Sequence, residues 1–411
     1  MTIFTRIRAL ASDIVSLGRG FTLLCASIFF MNLVNVTPLI SVYLGHLGIS
    51  LTGLGAVLAL MGYASIASRV LFGWLSDVVG YRLLISLGYA VASIAYLLFA
   101  VFSSLPWLFI PTLLLGIAPS LSEPALRAYI ANAVPKDRRA TAFGAFWTVV
   151  SAGIAAGMLL AGGIAYTMGF RAAFYAASIT RAVTSVTILT ALRDHRAAAD
   201  RARGASAKRR PSMRELVKPL LNTTLLLFFA ISCVSSFATG LIAQLKYLYA
   251  NKVVGATAFE IGLMAFAAQL CVMATLTPAG RIADKYGRLL PITLREYGYA
   301  ISTLAFLYAF NVPLLIAVNS IMAVFDALAM PARPALVADL TPRQERGTFM
   351  ALYMSLRQGL SSLGVFIGFY LWQTYGLKTP FYVRALLFAL SGTLYLLLRR
   401  SIRRASTQQL G

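Results

Sequence analysis

Acidic residues, histidine and cysteine are scarce in this sequence of 411 residues. There are two histidines, His46 and His195, and they are far apart, which excludes an HExxH zinc site. The sequence contains no Gly-Lys dipeptide, so the phosphate-binding P-loop of ATP-driven proteins is also excluded. The three cysteines form no CxxC pair and are interpreted as small buried apolar side chains. We therefore expect no enzyme activity, no metal site and no cofactor.

Charged residues of both signs are sparse, whereas apolar residues are abundant. Only 12% of the residues are charged and 59% are hydrophobic. Soluble domains have about 25% charged and about 45–50% apolar residues, so the chain is not a soluble domain. The net charge of +23 comes from 36 Lys and Arg against 13 Asp and Glu. Because the apolar excess points to a bilayer, we attribute the basic surplus to loops on one membrane side and not to nucleic-acid binding.

Long apolar runs recur along the whole chain. About 20 apolar residues cross a bilayer core that is about 30 Å thick. Backbone polar groups cannot stay unpaired in lipid, so the runs are predicted to be α-helices. The sequence predicts twelve spans, at 21–44, 50–72, 83–102, 106–133, 140–166, 170–192, 221–249, 258–279, 289–310, 313–340, 347–375 and 379–398.

Basic residues set the orientation of these spans. If the N-terminus is cytoplasmic, most Lys and Arg fall on the cytoplasmic side, Arg295 among them. This asymmetry predicts a protein of the inner or plasma membrane with both termini in the cytoplasm. No removable signal peptide is expected. The few basic residues assigned to the opposite side are Arg171, Lys246, Lys252, Lys378 and Arg384.

The sequence matches itself without gaps when it is shifted by 207 residues, the distance from Asp77 to Asp284. Parallel repeats with a binding site between them are a transporter architecture. The expected fold class is an all-α membrane protein with two parallel six-helix bundles. The expected segments are an amphipathic helix at 1–18, bundles at 19–192 and 221–400, a basic linker at 193–220 and a basic tail at 401–411.

A glycine-rich turn with one acid follows the second span and is repeated after the eighth. The first copy reads Gly73-Trp-Leu-Ser-Asp77-Val-Val-Gly80-Tyr-Arg82. The second copy reads Gly280-Arg-Ile-Ala-Asp284-Lys-Tyr-Gly287-Arg288. Glycine permits a tight turn, and each acid is suited to face a helix N-terminus.

This duplicated turn resembles the loop signature G-x-x-x-D-x-x-G-[RK] of the major facilitator superfamily. With the twelve spans, the paired halves and the basic central loop, the resemblance covers nearly the whole chain. It implies two bundles that rock about a central site, and a functional monomer. Tyr81 replaces a usual basic residue, so a weaker first latch is expected. The resemblance implies a conformational latch at Gly73, Asp77, Gly80, Arg82, Gly280, Asp284, Gly287 and Arg288.

The sequence is loosely similar to the drug:proton antiporter branch of that family. The fifth span around Gly157 resembles the branch's fifth-helix motif, although Met158 replaces its proline. Thr112 occupies a position where the branch usually carries arginine, which argues against its standard mechanism. Small residues four apart, as in this span and at Gly364 and Gly368, allow two helices to approach closely.

Several charged side chains fall inside the predicted spans. A charge at a helix centre costs about 2.5–3.5 kcal/mol on insertion scales, so these residues are expected to face one another or a wet cavity. Glu123 and Arg127 are four apart and able to pair. Arg333 is expected to reach the interface or to pair with Asp339. The charged residues concerned are Glu123, Arg127, Arg181, Asp326, Arg333 and Arg357.

Glu123 and Asp326 are the candidates for proton coupling, because a carboxyl group in a closing cavity exchanges protons between states. Arg357 is a candidate for a two-pronged contact with an anionic substrate. In the resembled family the first, fourth, seventh and tenth spans line the cavity. The candidate cavity residues are Asn32, Asn35, Tyr63, Arg127, Trp147, Gln244, Arg357 and Gln358.

Three hypotheses for the function remain open. The leading one is a secondary active, proton-coupled exporter of a small organic solute. The second is an uptake carrier for an organic anion that uses an intramembrane arginine. The third is a membrane sensor that does not transport. The expected partners are the lipid bilayer, a small-molecule substrate and protons.

Overall fold

The computed structural model describes residues 14–72, 79–135, 138–192, 223–341 and 346–408. Every regular element in these ranges is helical, which confirms the predicted all-α class. The predicted linker at 193–220 and the latch residues Gly73 and Asp77 lie outside the described residues, as does most of the predicted surface helix at 1–18.

The helices follow the order of the predicted spans. The first repeat contains α1 (Arg19–Asn32), a 3-10 turn (Thr37–Leu39), α2 (Ile40–His46), α3 (Leu51–Phe72), α4 (Tyr81–Val101), α5 (Leu105–Ala133), α6 (Arg139–Met168) and α7 (Phe170–Ala191). The second repeat contains α8 (Thr223–Leu241), α9 (Leu245–Lys252), α10 (Ala258–Tyr286), α11 (Leu289–Leu307), α12 (Val312–Leu340), α13 (Arg346–Tyr375) and α14 (Thr379–Gln408).

Ten helical segments in the described part of the chain are long and apolar enough to cross a membrane. The helices at the ninth and eleventh predicted positions, α11 and α13, are present but are not among these ten. Both carry polar and charged residues in their middle, such as Glu296 in α11 and Arg357 in α13. Their reduced hydropathy therefore reflects charges placed inside the protein.

The first and seventh spans are each broken. Residues 33–36 separate α1 from the 3-10 turn that contains Pro38, and residues 242–244 separate α8 from α9. The breaks fall at corresponding places of the repeat, since Asn35 aligns with Ile242. Backbone groups freed at such breaks need partners. At the first break the amide of Asn35 donates to the carbonyl of Gly157, at 3.1 Å.

The described residues fall into two compact units. The N-terminal unit takes in those of Met1–Tyr43, Tyr63–Ala207 and Thr257–Phe266. The C-terminal unit takes in those of Leu44–Gly62, Lys208–Ala256 and Ala267–Gly411. In the first, α4 packs along α5 and α7; in the second, α8 packs along α13 and α11 along α14.

Paired serines hold α4 against α7 in the N-terminal unit. The hydroxyls of Ser86 and Ser185 each donate to the other residue's carbonyl, at 2.9 and 2.8 Å. Ser93 and Ser178 form a second reciprocal pair, with both bonds at 2.9 Å. Small hydroxyl side chains satisfy each other across helices in this way and let the backbones come close.

Glycines fix a second set of close helix contacts, as the sequence predicts. A Cβ atom at Gly157 would collide with the backbone oxygen of Asn32. In the C-terminal unit, Cβ atoms at Gly364 and Gly368 would collide with the backbone oxygens of Phe237 and Leu241. The predicted close approach of the fifth and eleventh spans to their neighbours is therefore confirmed.

Candidate functional site

The C-terminal unit buries a charged network around Glu296 of α11. Glu296 is 0% exposed. Its Oε1 accepts hydrogen bonds from Ser235 Oγ at 2.9 Å, from Arg295 Nη1 at 3.0 Å and from Arg333 Nη2 at 2.9 Å. Two arginines therefore share one carboxylate. Removing one partner of such a buried pair costs about 3–5 kcal/mol, because it leaves an uncompensated charge.

Arg295 connects this network to Asp326 of α12. Its Nη1 donates to Ser235 Oγ and its Nη2 to Thr239 Oγ1, both at 2.9 Å. Its Nε donates to Asp326 Oδ1 at 3.3 Å. The Asp326 side chain is 40% exposed, in contrast to that of Arg295. Asp326 is thus the more exposed of the two carboxylates in this network.

A second buried arginine, Arg384 of α14, shares aromatic rings with Arg295. The Arg384 guanidinium lies 4.8 Å from the Tyr299 ring and 5.0 Å from the Phe388 ring. That of Arg295 lies 4.2 and 4.9 Å from the same rings. Arg384 is 2% exposed, and its Nε and Nη1 have no hydrogen-bond partner among the described residues.

Two half-buried cations belong to the same unit. Lys246 of α9 donates from Nζ to Asn319 Oδ1 at 2.8 Å. Arg357 of α13 donates from Nε to Ser236 Oγ at 2.6 Å, and its guanidinium lies 5.3 Å from the Tyr353 ring. Each of these cations therefore has a neutral hydrogen-bond acceptor.

Asn319, Asp326 and Arg333 are seven residues apart on α12, a spacing that places them on one face of the helix. Asp326 and Arg333 belong to the Glu296 network, and Asn319 accepts from Lys246. However, the expected reach of Arg333 to Asp339 is wrong. Arg333 is buried and donates to Glu296, whereas Asp339 contacts Arg288 at 3.5 Å. A buried carboxylate is a stronger partner for Arg333 than one at an exposed helix end.

The sequence analysis missed Arg295, Glu296 and Arg384 as members of the site. It counted Arg295 with the basic residues of the cytoplasmic side and Arg384 with those of the opposite side, whereas both lie inside helices and are buried. The positive-inside rule assigns basic residues near span ends to one membrane side, and it does not distinguish a loop residue from one that lies inside the helix. The predicted span 289–310 already encloses an Arg-Glu dipeptide, which is the signal that would identify the network.

The candidates in the fourth and fifth spans lie apart from this network in the N-terminal unit. Glu123 of α5 is half-buried and Arg127 is exposed. The expected Glu123–Arg127 pair is not formed: in the described part of the chain, no ion pair joins them. Arg127 instead lies 5.7 Å from the ring of Trp147. Glu123 takes part in none of the ion pairs of the described residues.

Arg181, Asn32 and Asn35 have structural partners. Arg181 donates to the carbonyls of Val34 and Ala177, at 3.1 and 3.0 Å, and lies 4.3 Å from the Tyr96 ring. Asn32 Nδ2 donates to the carbonyl of Ile28 at 2.8 Å, and Asn35 Oδ1 accepts from the amide of Thr37 at 3.1 Å. The two asparagines thus secure the first break and are both buried.

The remaining wall candidates differ in accessibility. Tyr63 and Trp147 are exposed, at 42% and 43%. Gln358 is also exposed, whereas Gln244 is half-buried directly before α9. Three of these side chains are therefore exposed and one is half-buried.

The second copy of the latch is described in full and the first only from Val79 onward. Gly80 and Gly287 both adopt positive φ, of 102° and 87°, which glycine tolerates. Arg288 donates to Asp284, and its Nε lies 3.5 Å from Asp339 Oδ2. The hydrogen bond to Asp284 raises the pKa of Arg288 above its ordinary value.

The duplicated bundle of apolar helices with buried intramembrane charge defines the class: a helical transport protein built from parallel repeats. The Major Facilitator Superfamily profile matches residues 22–294 and 227–410, and the chain belongs to this family.

Relatives in sequence carry transporter names. Multidrug resistance protein 2 of Bacillus subtilis is 22% identical over 356 residues, which are 85% of this chain and 86% of that protein. An MFS-type transporter of Methanocaldococcus jannaschii is 31% identical over 143 residues, which are 35% of this chain and 37% of that protein. Quinolone resistance protein NorA of Staphylococcus aureus is 26% identical over 148 residues, 36% of this chain and 38% of that protein. The matches to the Methanocaldococcus and Staphylococcus proteins thus span less than two fifths of their lengths.

Solved transporters share the fold. A bacterial homologue of the human lysosomal transporter Spinster aligns with a TM-score of 0.75 at 12% identity, over 96% of this chain and 98% of that one. The nucleoside transporter NupG aligns with a TM-score of 0.74 at 14% identity, over 92% of this chain and 98% of that one. At such identities the likeness establishes the fold alone, and it confirms the expected two-bundle architecture.

Proposed function

We propose that the protein is a secondary active exporter of small organic molecules that is driven by protons. The support from relatives is the similarity over 85% of the chain to a protein named for multidrug resistance, with a shorter match to one named for quinolone resistance. These names favour transport over the alternative of a membrane sensor. They also favour export over uptake of an organic anion.

Glu123 carries this proposal. It is half-buried in α5, and none of the ion pairs in the described part of the chain includes it. An ionised carboxylate inside a bilayer costs about 2.5–3.5 kcal/mol, and protonation removes that cost. A carboxyl group without a fixed cation is therefore free to alternate between its two protonation states as access alternates.

Asp326 is the second candidate for the proton. Its contact with Arg295 compensates its charge in the present arrangement, and its side chain is 40% exposed. Protonation of Asp326 would release Arg295 from this contact. In our proposal Glu123 exchanges the driving proton, and Asp326 sets the charge that the solute meets.

Transport into proteoliposomes with an acidic lumen tests the proposal. A quinolone and a fluorescent lipophilic cation serve as probes, and lumenal pH is followed in parallel. We expect uptake to consume the pH gradient in the unmodified protein. Glu123→Gln should abolish gradient-driven uptake and retain exchange of labelled for unlabelled solute, because that exchange needs no net proton movement.

Glu260→Gln provides the matched control. Glu260 Oε2 accepts from the amide and hydroxyl of Thr257, at 2.8 and 2.9 Å, in a helix cap that glutamine also forms. This variant should transport normally. Gradient-driven rates that stay unchanged in both Glu123→Gln and Asp326→Asn would disprove proton coupling through these acids.

The oligomeric state, the membrane and the orientation of the chain are also part of the proposal. We infer a monomer in the inner or plasma membrane, with both termini in the cytoplasm and a latch at the second copy of the glycine-rich motif, which covers the C-terminal end of α10 and the two residues after it. The support is the one-sided distribution of Lys and Arg and the Asp284–Arg288 contact. Labelling of single cysteines placed at positions 205 and 378 from either membrane side tests the orientation.

A further inference from the structure

The ion pair of Arg295 and Asp326 joins a buried side chain of α11 to a more exposed one of α12. The Arg295 side chain is 1% exposed and that of Asp326 is 40% exposed. Two nitrogens of the guanidinium, Nε and Nη2, both lie 3.3 Å from the same carboxylate oxygen, Oδ1. The Nε–Nη2 edge of Arg295 therefore faces a single oxygen of Asp326.

This contact uses the guanidinium edge incompletely. Charge-assisted N–H···O bonds are about 2.7–2.9 Å long, and a guanidinium edge pairs best with a carboxylate that places one oxygen on each nitrogen. Asp326 instead makes two longer contacts through one oxygen. A carboxylate that is not tethered to α12 is free to align both of its oxygens with the edge. Such a group would match Arg295 better than Asp326 does.

Arg295 is held in place by partners other than Asp326. Its Nη1 donates to Ser235 Oγ at 2.9 Å and to Glu296 Oε1 at 3.0 Å. Its Nη2 donates to Thr239 Oγ1 at 2.9 Å, and two aromatic rings lie 4.2 and 4.9 Å from its guanidinium. Loss of the contact with Asp326 would therefore leave Arg295 where it is and its edge unpaired. A donor that is already fixed binds a ligand at a lower entropic cost.

Charge balance also favours a carboxylate at this edge. The buried ion pairs of the unit join the carboxylates of Glu296 and Asp326 to Arg295 and Arg333. Without the charge of Asp326, Glu296 alone would face both arginines, and an uncompensated buried charge is strongly destabilising. Three further cations of the unit take part in none of the described ion pairs and add positive charge: Lys246, Arg357 and Arg384.

We propose that the Nε–Nη2 edge of Arg295 is a binding site for carboxylate groups, and that the Asp326 side chain occupies this site as a built-in ligand. A planar anion with two oxygens is the ligand class that fits two adjacent N–H donors. Because Arg295 is buried, an external carboxylate must take the place that the Asp326 carboxylate holds now. The site becomes available when Asp326 loses its charge.

The site deepens the proposed function by making Asp326 a residue that determines specificity, and this role rests on that function. An ionised Asp326 repels the carboxylate of a solute and keeps the donors of Arg295 engaged. The protein should therefore discriminate against solutes with a free carboxylate in favour of their uncharged derivatives. Carboxylate binding at Arg295 itself does not depend on transport.

Thermal unfolding of the purified full-length chain in detergent tests the site. Asp326→Ala removes the built-in carboxylate, and the variant is titrated with formate, which has the size of the missing group, and with acetate. Sodium is kept constant with chloride as the balancing anion, and acetamide serves as the neutral analogue. We expect a saturable rise in Tm with formate or acetate and none with acetamide. The unmodified protein should need at least tenfold more of either anion for the same rise.

Asp339→Ala is the matched control. Asp339 Oδ2 also lies beside the Nε of an arginine, at 3.5 Å from Arg288, but both side chains are well exposed. Surface ion pairs of this kind contribute little to stability, so formate should not raise the Tm of this variant. An equal rise in Asp339→Ala, in the unmodified protein or with acetamide would overturn the proposal, because the anions would then act without regard to the site.

Two further variants keep the test decisive. Asp326→Asn preserves the shape of the side chain and should show the same carboxylate-dependent rise if Asp326→Ala does not fold. Arg295→Lys in the Asp326→Asn background keeps the positive charge and removes the two-donor edge, so it should weaken formate binding by about tenfold or more. Unchanged formate binding in this double variant would place the anion elsewhere and refute the site.

A quinolone carboxylic acid and its methyl ester test the discrimination between solutes in the same assay. Asp326→Asn should tighten binding of the acid relative to the ester by about tenfold or more, since repulsion is replaced by a charge-assisted contact. An unchanged ratio would overturn the role in specificity. No proton gradient is used in these measurements. Loss of pH-driven uptake by the unmodified protein, together with an intact formate-dependent rise in Asp326→Ala, would refute the proposed function and leave the site standing.

Discussion

Arg295 and Arg384 both lie against the ring of Tyr299, at 4.2 and 4.8 Å from its centre. Arg295 comes from the same helix as the ring, whereas Arg384 comes from α14. The negative face of one aromatic ring therefore helps to hold two buried guanidiniums that would otherwise repel each other. The ring binds α11 to α14 electrostatically as well as by packing.

Replacing Tyr299 tests this relationship. Each cation–π contact is worth about 0.5–2 kcal/mol, so Tyr299→Leu should lower the free energy of unfolding by about 1–4 kcal/mol. Tyr299→Phe keeps the ring and should lower it far less. Denaturant unfolding followed by tryptophan fluorescence measures the difference. Equal losses in the two variants would show that the ring acts only by filling space.

Glu296→Gln should be among the most destabilising single changes in the C-terminal unit. The variant keeps an oxygen for Ser235 but removes the charge that Arg295 and Arg333 share. We expect a loss of about 3–5 kcal/mol, as for other broken buried pairs. Unfolding of Glu260→Gln, in which a helix cap is preserved, supplies the reference. A loss below that of the reference would mean that water compensates the arginines.

The two glycines of α6 should respond in opposite ways to alanine. A Cβ atom at Gly157 collides with the backbone of Asn32, whereas one at Gly163 meets nothing within 4 Å. Gly157→Ala should destabilise the protein by about 1–3 kcal/mol through overpacking. Gly163→Ala should be neutral or stabilise by up to about 1 kcal/mol through helix propensity. Paired melting curves decide, and similar shifts for both would refute the close contact.

Arg288→Ala should change transport more than stability. Its partners Asp284 and Asp339 are well exposed, and surface ion pairs contribute little to folding. If the turn is a latch, the transport rate should fall. The Tm should stay within about one or two degrees of that of the unmodified protein, because the change in the free energy of unfolding is small. Lys285→Ala is the control, because Lys285 is an exposed basic residue in the last turn of α10. Normal transport in Arg288→Ala would remove the latch interpretation.

The spans were predictable from hydropathy, and the repeat was predictable from exact residue matches between the two halves. Apolar length defines a membrane helix with little help from tertiary context. Glycines four apart predict close helix contacts for a similarly local reason, since the missing side chain is the feature that matters. The breaks in the first and seventh spans do not interrupt the apolar runs and are therefore invisible to hydropathy, although Pro38 lies in the 3-10 turn that follows the first break.

The charged network was not predictable to the same degree. Arg295 lies within a helical turn or two of the start of α11, where the basic residues of loops also concentrate. Only three-dimensional packing shows that Arg295 turns inward to Ser235 and Asp326. By contrast, the seven-residue spacing of Asn319, Asp326 and Arg333 is enough to place them on one face of α12. Sequence periodicity predicts which residues share a face of one helix, but it does not predict which residues of neighbouring helices they contact.

The charge of the C-terminal network has an electrical consequence. Its five cationic side chains outnumber its two carboxylates, so the unit holds a surplus of positive charge in the membrane field. Moving one elementary charge across the field is worth about 2.3 kcal/mol per 100 mV of membrane potential. Any conformational step that carries the network through part of the field is therefore speeded or slowed by voltage.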